Sequence, residues 1–446
     1  MGWVAVRRDH GKLIFIDLRD RSGICQVVFL GGNKALYEKA SQLRSEWVVK
    51  ITGQVNARPE KLVNPNLATG AFEVLAEDLE VLNESENPPF PLDTDGHDIS
   101  EEVRLKYRYL DLRRPRVQRN IKLRSELVDR ARQFLFSRGF TEIETPYFTS
   151  TTPEGSRDFV VPSRLYPGKF FALPQSPQQY KQLLMAAGFE RYFQIARCFR
   201  DEDLRADRGF EHTQIDMEMS FADRDEVMAL DEEMITTICE AMGYKLKEKP
   251  FPRITYEEAI KKYGADKFDM RTEEDKANGV LAFAWVIDFP FFEKDKAGKW
   301  TFTHNPFSMP APEHLEWHLK GENTEKIVTQ QYDLVCNGYE TGGGSIRAHR
   351  PDILKATFRT MGYSDERIEK EFGHMLKAFS YGAPPHGGLA HGIERLMMIL
   401  TGEPWLREVQ AFPQTSSGHT SVMDAPSEIS KDQLKELGLE IKKEKK

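Results

Sequence analysis

Apolar and polar positions along this chain change their period near residue 83. Before it, short β-rich runs cover 3–8, 13–19, 24–30, 47–55 and 72–82, separated by turn residues such as Asp9/Gly11, Asp20/Gly23, Gly31/Gly32 and the stretch 64–70, with one helical segment near 33–43. Five short strands with a helix inserted after the third predict a small closed barrel of the OB type. The stretch 83–99 (NESENPPFPLDTDGHDI) is rich in Pro, Asn, Asp and Glu and reads as a linker. After it the pattern is mainly helical: a segment from about residue 100, a long amphipathic helix over about 120–138 with Gly139 suited to its C-terminal cap, a helix entered after Pro177, and another over about 222–247.

One stretch breaks this helical pattern with a period of two. Residues 199–221 (FRDEDLRADRGFEHTQIDMEMSF) read as the end of a strand, a charged loop and a second strand. Antiparallel strands joined this way put Arg200, Glu202, Gln214, Asp216 and Glu218 on one sheet face, because residues two apart share a face. A solvated, salt-bridged hairpin is the plain alternative. In the middle of a long chain, however, such a polar face is costly to bury without a ligand to satisfy it.

With 446 residues, 40% of them hydrophobic and 30% charged, the chain has the composition of a soluble globular protein of two or three domains. It has no run of ~18 apolar residues suited to a membrane span, and its start (MGWVAVRRDHG) lacks a signal-peptide core. The expectation is a cytoplasmic protein without a membrane partner. Cys25, Cys198, Cys239 and Cys336 are scattered, with no zinc-type spacing, and are expected to be reduced core residues. A net charge of −8 excludes indiscriminate nucleic-acid binding but leaves room for a local basic surface: between Arg104 and Arg124 nine residues are basic and only Asp111 is acidic.

FRDE followed by a loop and TQID resembles motif 2 of the class II aminoacyl-tRNA synthetases, in the wording of the bacterial-type aspartyl-tRNA synthetase family. Further segments resemble the same family: WVAVRRDHGKLIFIDLRDRSGICQVV near the start, GFTEIETPYFTSTTPEGSRDF (motif 1), LPQSPQQYKQLLM, FTHNPFSMP, YDLVCNGYETGGGSIRAH, and GGLAHGIERLMMIL (motif 3). The resemblance implies an α+β chain: an OB-type anticodon-binding barrel over 1–83, a linker or hinge over 84–110, and over 111–446 a class II catalytic domain, an antiparallel sheet flanked by helices. The insertion domain usual in this family between motifs 2 and 3 is absent near 270–282. The implied reaction is ATP-dependent activation of L-aspartate and its transfer to tRNA(Asp), by a homodimer with Pro146 at its interface.

The resemblance also assigns residues. Arg8, His10, Phe15, Gln26, Arg58 and Glu73 fall on anticodon-contacting positions. His10 matches relatives that charge tRNA(Asn) as well, which leaves tRNA(Asn) as a second candidate. Glu154, Ser176, Gln178, Lys181, Arg200, Asp216, His304 and Arg347 fall on aspartate-binding positions, with Lys181 and Arg347 reading the side-chain carboxylate. Arg200, Asp201, Glu202, His212, Glu340, Gly392, Ile393, Glu394 and Arg395 surround ATP, Arg200 and Arg395 being the catalytic cations. Asp333 and Glu340 are the Mg²⁺ carboxylates, hard oxygen ligands suited to that ion.

Three positions depart from the family: Gly209 replaces a usual Gln, His212 stands where a Phe stacks on adenine, and Asn305 stands where a second His is usual. The chain also opens inside the first strand, which is expected to shorten the barrel edge. Asparaginyl- or lysyl-type synthetases and a non-catalytic tRNA-binding relative stay open as alternatives. The non-catalytic reading predicts damage at Arg200, Asp333, Glu340 or Arg395, and all four are intact. Stacking on a base is worth roughly 1–3 kcal/mol. Phe15→Ala should therefore weaken tRNA binding, measured by filter binding, and leave amino-acid activation unchanged.

Overall fold

The structure is a computed structural model describing residues 1–151 and 155–442. The chain folds as two compact units, Met1–Arg116 and Val117–Lys446.

In the first unit, β1 (Gly2–Asp9), β2 (Leu13–Asp20), β3 (Gly23–Leu30), β4 (Val48–Ala57) and β5 (Phe72–Asn83) close a barrel in the order β1-β2-β3-β5-β4, with α1 (Lys34–Gln42) between the third and fourth strands. Alternation fills it: Val4, Ile14, Ile16, Val27, Phe29, Val49 and Leu79 point inward, and Leu36 and Ala40 of α1 pack on them. β1 is as long as β2 and β3, and it closes the barrel through Gly2↔Val49 and Trp3↔Val48. After β5 come α2 (Glu101–Lys106) and α3 (Arg108–Asp111). Much of the basic cluster is not a solvated stripe, because Arg104, Arg108 and Arg114 are buried, at 3.3, 2.5 and 2.7 Å from the carboxylate of buried Asp111.

The long helix α4 (Pro115–Ser137) begins earlier than the apolar periodicity indicates, with Pro115 at its first position, where a missing N–H costs nothing. Gly139 follows it at φ 76°, the left-handed conformation expected of a residue past a helix end. Next come β6 (Thr141–Glu142), the hairpin β7 (Val160–Pro162) and β8 (Phe170–Ala172), α5 (Gln178–Ala186), β9 (Arg191–Phe199), β10 (Glu211–Ser220) and α6 (Arg224–Ala241). They are followed by β11 (Arg253–Thr255), α7 (Tyr256–Tyr263), α8 (Glu273–Ala277), β12 (Phe283–Ile287), the hairpin β13 (Phe292–Lys294) and β14 (Trp300–Phe302), and α9 (Leu315–Lys320). The last elements that matter for the site are β15 (Gln331–Cys336), β16 (Tyr339–Ile346), α10 (Pro351–Thr360), α11 (Asp365–Phe379), β17 (His386–Gly392) and α12 (Ile393–Thr401).

Eight of these strands form one sheet in the order β11-β12-β15-β16-β17-β10-β9-β6. Its six central strands are antiparallel, while the outer pairs β6–β9 and β11–β12 run parallel, so the sheet is mixed rather than wholly antiparallel. One face is apolar: Ile215, Met217, Met219, Tyr332, Leu334 and Leu389 share a core with Leu127, Leu135, Val227, Ile235, Leu396 and Met397 from α4, α6 and α12. The residues between them in sequence, Gln214, Asp216 and Glu218 on β10 and Gln331 and Asp333 on β15, alternate to the other face.

The glycine run 342–344, which by sequence alone reads equally well as a flexible loop, lies inside β16. A Cβ on Gly344 would fall 2.1 Å from the Gly388 carbonyl and 2.5 Å from Leu389 Cβ, and one on Gly388 would fall 2.0 Å from the Met217 carbonyl. The three adjacent strands approach too closely for side chains there. Behind them the buried pair His391–Asp231, at 2.6 Å, ties β17 to α6. Gly344→Ala should therefore lower stability by ~3 kcal/mol or more, the upper end for overpacking, read as a fall in the midpoint of thermal unfolding.

Candidate active site

The polar face of the sheet floors a cavity of about 300 Å³ in the second unit. Helix α5 and the residues just before it deliver Ser176, Gln178 and Lys181 to it, the β9–β10 hairpin Arg200, Glu202, His212 and Asp216, the 304–307 loop His304 and Asn305, the β15–β16 hairpin Asp333 and Glu340, and the β17–α12 junction Gly392, Glu394 and Arg395. Arg347, just past β16, completes the lining. Residues from five separate segments thus converge on one cavity.

Four charges meet at the centre of this floor, all of them buried. Lys181 Nζ is 2.5 Å from Asp216 Oδ1 and 3.2 Å from Glu218 Oε2, and Arg347 grips Glu218 with two prongs, Nε to Oε1 at 2.9 Å and Nη2 to Oε2 at 3.2 Å. Arg347 is fixed further by donating to Ser345 Oγ and to the Gly388 carbonyl. Burial acts to raise the Glu218 carboxyl, but the Arg347 guanidinium and the Lys181 ammonium overcome it and hold it down at about 2. At Asp216 burial wins over Lys181, and its carboxyl lies above the ordinary range. Asp216 Oδ2 has no hydrogen-bond partner. A buried acceptor left open in this way, beside a cavity, suits an incoming cation.

A second carboxylate pair lies on β15 and β16. Asp333 Oδ1 accepts from Gln331 Nε2 at 2.7 Å, and Glu340 Oε2 is 2.8 Å from Lys267 Nζ and 3.6 Å from Arg395 Nη1. Burial, with Glu340 beside it, pushes the Asp333 carboxyl well up, whereas Lys267 and Arg395 outweigh burial at Glu340 and bring it to about 2. Both carboxylates border the bare backbone of Gly343: a Cβ there would lie 2.8 Å from Asp333 Oδ1 and 3.5 Å from Glu340 Oε1. Two hard oxygen donors that raise each other's energy and face a common gap fit a divalent cation. No set of three or more His, Cys, Asp or Glu among the described residues could hold a metal by itself. The remaining ligands would therefore come from phosphate oxygens and water, the usual situation for Mg²⁺.

Other expected positions distribute as follows. His212 lines the cavity and is pushed well below the ordinary histidine range by burial and by the cations Arg200, Arg395 and Arg197, which favours the neutral ring. His304 lines the cavity, 3.7 Å from Asp333 Oδ2. Asn305 donates to Gln331 Oε1 at 2.9 Å, so a chain of hydrogen bonds runs from it through Gln331 to Asp333. Glu394 lines the cavity but is committed to Arg124 and the Thr213 N–H. Asp201 is outside the lining, at 3.4 Å from Arg157, and the Ile393 side chain lies in the core. Glu154 lies outside the described residues.

Glu218 was legible two residues after Asp216 by the same alternation, yet its part in holding both cations needed Arg347, 129 positions away. Lys267 carried no signal at all.

In the barrel, the expected anticodon residues gather on neighbouring strands. Arg8 forks onto Asp17 at 2.9 and 2.8 Å and approaches Gln26, Gln26 donates to Glu73 at 3.0 Å, and Arg58 lies 3.6 Å from Glu73. The His10 and Phe15 rings meet edge to face at 5.5 Å. This surface combines an aromatic pair with hydrogen-bonding side chains of both signs.

Comparison with known proteins identifies the family. Residues 100–416 match the family described as tRNA synthetases class II (D, K and N), and residues 1–82 match the OB-fold nucleic acid binding domain. The chain is 40% identical over 565 aligned positions to the aspartate–tRNA(Asp/Asn) ligase of Caldanaerobacter subterraneus, covering 99% of this chain and 95% of that one. It is equally similar over 568 positions to the aspartate–tRNA ligase of Bacillus licheniformis, with the same coverage. The aligned spans exceed the 446 residues of the chain, so these relatives carry segments with no counterpart here. Among solved structures, Entamoeba histolytica asparaginyl-tRNA synthetase with asparaginyl-adenylate superposes with a TM-score of 0.74 at 25% identity, covering 93% of this chain and 94% of that one. The aspartyl-tRNA synthetase of the same organism shares the fold, with a TM-score of 0.73 at 23% identity and coverages of 92% and 87%.

The buried charge set makes a stability prediction. Lys181→Met should cost about 3–5 kcal/mol at neutral pH, the range for stripping one partner from a buried pair, and adding Asp216→Asn should recover part of it. Because Glu218 is held at about 2 against an ordinary 4.5, its contribution is complete above pH 4.5 and lost as the pH falls towards 2. Glu218→Gln should remove that portion of the acid limb, measured by urea unfolding at a series of pH values.

Proposed function

The chain belongs to the class II tRNA synthetases of the D, K and N group, and we propose that within it the protein is an aspartate–tRNA ligase. The observation that carries this reading is that Lys181 and Arg347 both open on the cavity that also holds Arg200. A pocket with two buried cations in its floor suits a ligand whose side chain is an anion.

Activation joins two negatively charged reactants, the α-carboxylate of aspartate and the α-phosphate of ATP. The nucleophile is already ionised, so no general base is needed; alignment and charge neutralisation are. In this reading Asp216, through its open Oδ2, takes the substrate ammonium. That draws Asp216 away from Lys181 and leaves Lys181, with Arg347, to the side-chain carboxylate. Ser176 and Gln178 orient the amino acid at the start of α5. Arg200 aligns the attacking carboxylate with the α-phosphate, Arg395 holds the γ-phosphate, and the neutral His212 ring stacks on adenine with Glu202 beside it. Asp333 and Glu340 would hold Mg²⁺, which supplies positive charge to the phosphate oxygens. Pyrophosphate leaves, and the ribose 3′-hydroxyl of the terminal tRNA nucleotide then displaces AMP from the aspartyl-adenylate. Glu154 is kept as a proposed contact to the substrate ammonium.

The neutral amide is rejected because it brings no anion to replace Asp216 beside Lys181 when the ammonium takes Asp216, leaving Glu218 as the one carboxylate for both Lys181 and Arg347. Such a loss costs about 3–5 kcal/mol, roughly two to four decades at 1.4 kcal/mol each. We assign residues 1–83 to anticodon binding through Arg8, His10, Phe15, Gln26, Arg58 and Glu73, and 111–446 to catalysis. The segment 84–110 is the hinge. The working form is a homodimer: beside exposed Pro146 the side chains of Tyr147, Phe148 and Phe171 stand 37%, 60% and 40% exposed, an aromatic face suited to a second copy. Among the described residues no helix is long and apolar enough to cross a membrane, and the setting proposed is the cytoplasm, where ATP and tRNA are at hand. Since close relatives are named for both tRNAs, tRNA(Asn) is proposed as a second acceptor.

Pyrophosphate exchange should depend on aspartate and not on asparagine or lysine; exchange driven by either of those would overturn the assignment. Arg200→Lys retains charge but loses the planar two-pronged donor, so exchange should fall at least ~10²-fold, as when a comparable stabilising donor is removed.

A further inference from the structure

Lys267 has no part in the proposed chemistry, yet its position is tightly determined. Helix α7 ends at Gly264, which takes the left-handed conformation (φ 75°), and the following residues turn back along the β15–β16 hairpin. Phe268 is buried, its ring stacked on Tyr263 with centroids 4.2 Å apart, and its carbonyl accepts the N–H of Gly338 in the turn between β15 and β16 at 3.0 Å. Lys267 is therefore one residue from an anchor on the very hairpin that carries Asp333 and Glu340.

The two oxygens of Glu340 are divided between different neighbours. Oε2 receives Lys267 Nζ at 2.8 Å and Arg395 Nη1 at 3.6 Å. Oε1 faces Gly343, as does Asp333 Oδ1. Glu340 lines the cavity and Lys267 does not, so the ammonium is not placed to take a phosphate itself. It holds one oxygen of the carboxylate from behind while the other is presented to the gap. Without that hold, two like-charged carboxylates across an unfilled glycine would turn apart.

We propose that Lys267 is a positioning residue for the divalent cation: by gripping Glu340 Oε2 it keeps Oε1 opposite Asp333 Oδ1, so that both oxygens are set for one hard cation before it arrives. This rests on the assignment of Asp333 and Glu340 as metal carboxylates. Charge alone predicts the opposite sign, since an ammonium near a metal site repels the metal. Outer partners that orient a ligating group are nevertheless typically worth 10- to 100-fold in metal affinity, and the direction of the effect separates the two roles.

The test is Mn²⁺ binding to the full chain with the α,β-methylene analogue of ATP, followed by electron paramagnetic resonance of free Mn²⁺. Lys267→Met should weaken Mn²⁺ binding about 10- to 100-fold. Lys267→Arg should restore it to within a few-fold, a rescue that a merely structural residue would not show. Binding of the analogue in EDTA should change far less. Lys267→Gln serves as a second neutral variant, with circular dichroism to establish that each protein is folded. Mn²⁺ binding by both neutral variants equal to or tighter than that of the wild type overturns the inference. Asp333→Asn separates the levels. If it loses Mn²⁺ while the Lys267 variants keep it, only the role of Lys267 fails; if it also binds as the wild type does, the metal assignment fails and this inference with it.

Discussion

The structure depends on a balance of buried charge at the middle of one sheet face. Lys181, Arg347, Asp216 and Glu218 are each at most 2% exposed, and together they carry no net charge. Isolated, any one of them would be driven to its neutral form or expelled; as a closed set they can be held under the floor of a cavity. The closure is incomplete at a single atom, Asp216 Oδ2. In the proposed reading, a zwitterionic amino acid with an acidic side chain would supply a cation for that atom and an anion for the lysine it releases.

The alternation of the strands makes this arrangement possible. On β10 the odd-numbered Ile215, Met217 and Met219 are packed against helices, so the even-numbered Gln214, Asp216 and Glu218 must face away from them. Glycines on β16 and β17 let neighbouring strands approach without side chains between them, and they leave room above Gly343 for the Asp333–Glu340 pair. A single choice of residue thus serves both packing behind the sheet and space in front of it. The same economy explains why Arg347 can reach Glu218: Ser345 and the Gly388 carbonyl fix its guanidinium, and a larger side chain at 388 would fill that space.

The departures from the family wording fall at the edges of this machinery. His212 supplies a neutral ring because burial and three nearby arginines disfavour its charged form. Asn305 joins Ser308 and Gln331 in a hydrogen-bonded chain that ends on Asp333. Gly209 lines the cavity and its absent side chain leaves room there. None of the three interrupts the four-charge set.

The sequence by itself determined the barrel, because five alternating runs with turns between them leave few other ways to bury their apolar faces. It also determined the β9–β10 hairpin and the face shared by Gln214, Asp216 and Glu218, since a period of two is a local property; Arg200 and Glu202, expected on that sheet face, lie in the loop past the end of β9 at Phe199. Motif wording marked Arg200, Lys181, Asp333, Glu340, Arg347 and Arg395. Local pattern does not carry pairing between distant segments, and those relations were settled only in three dimensions. Glycines 342–344 are strand rather than loop because β17 lies against them. Glu218 holds Arg347 across 129 residues, and Lys267 reaches Glu340 because Phe268 docks on the hairpin turn. The reason is physical: periodicity reports which side of an element is buried, but the identity of what lies across from it is set by how the elements pack.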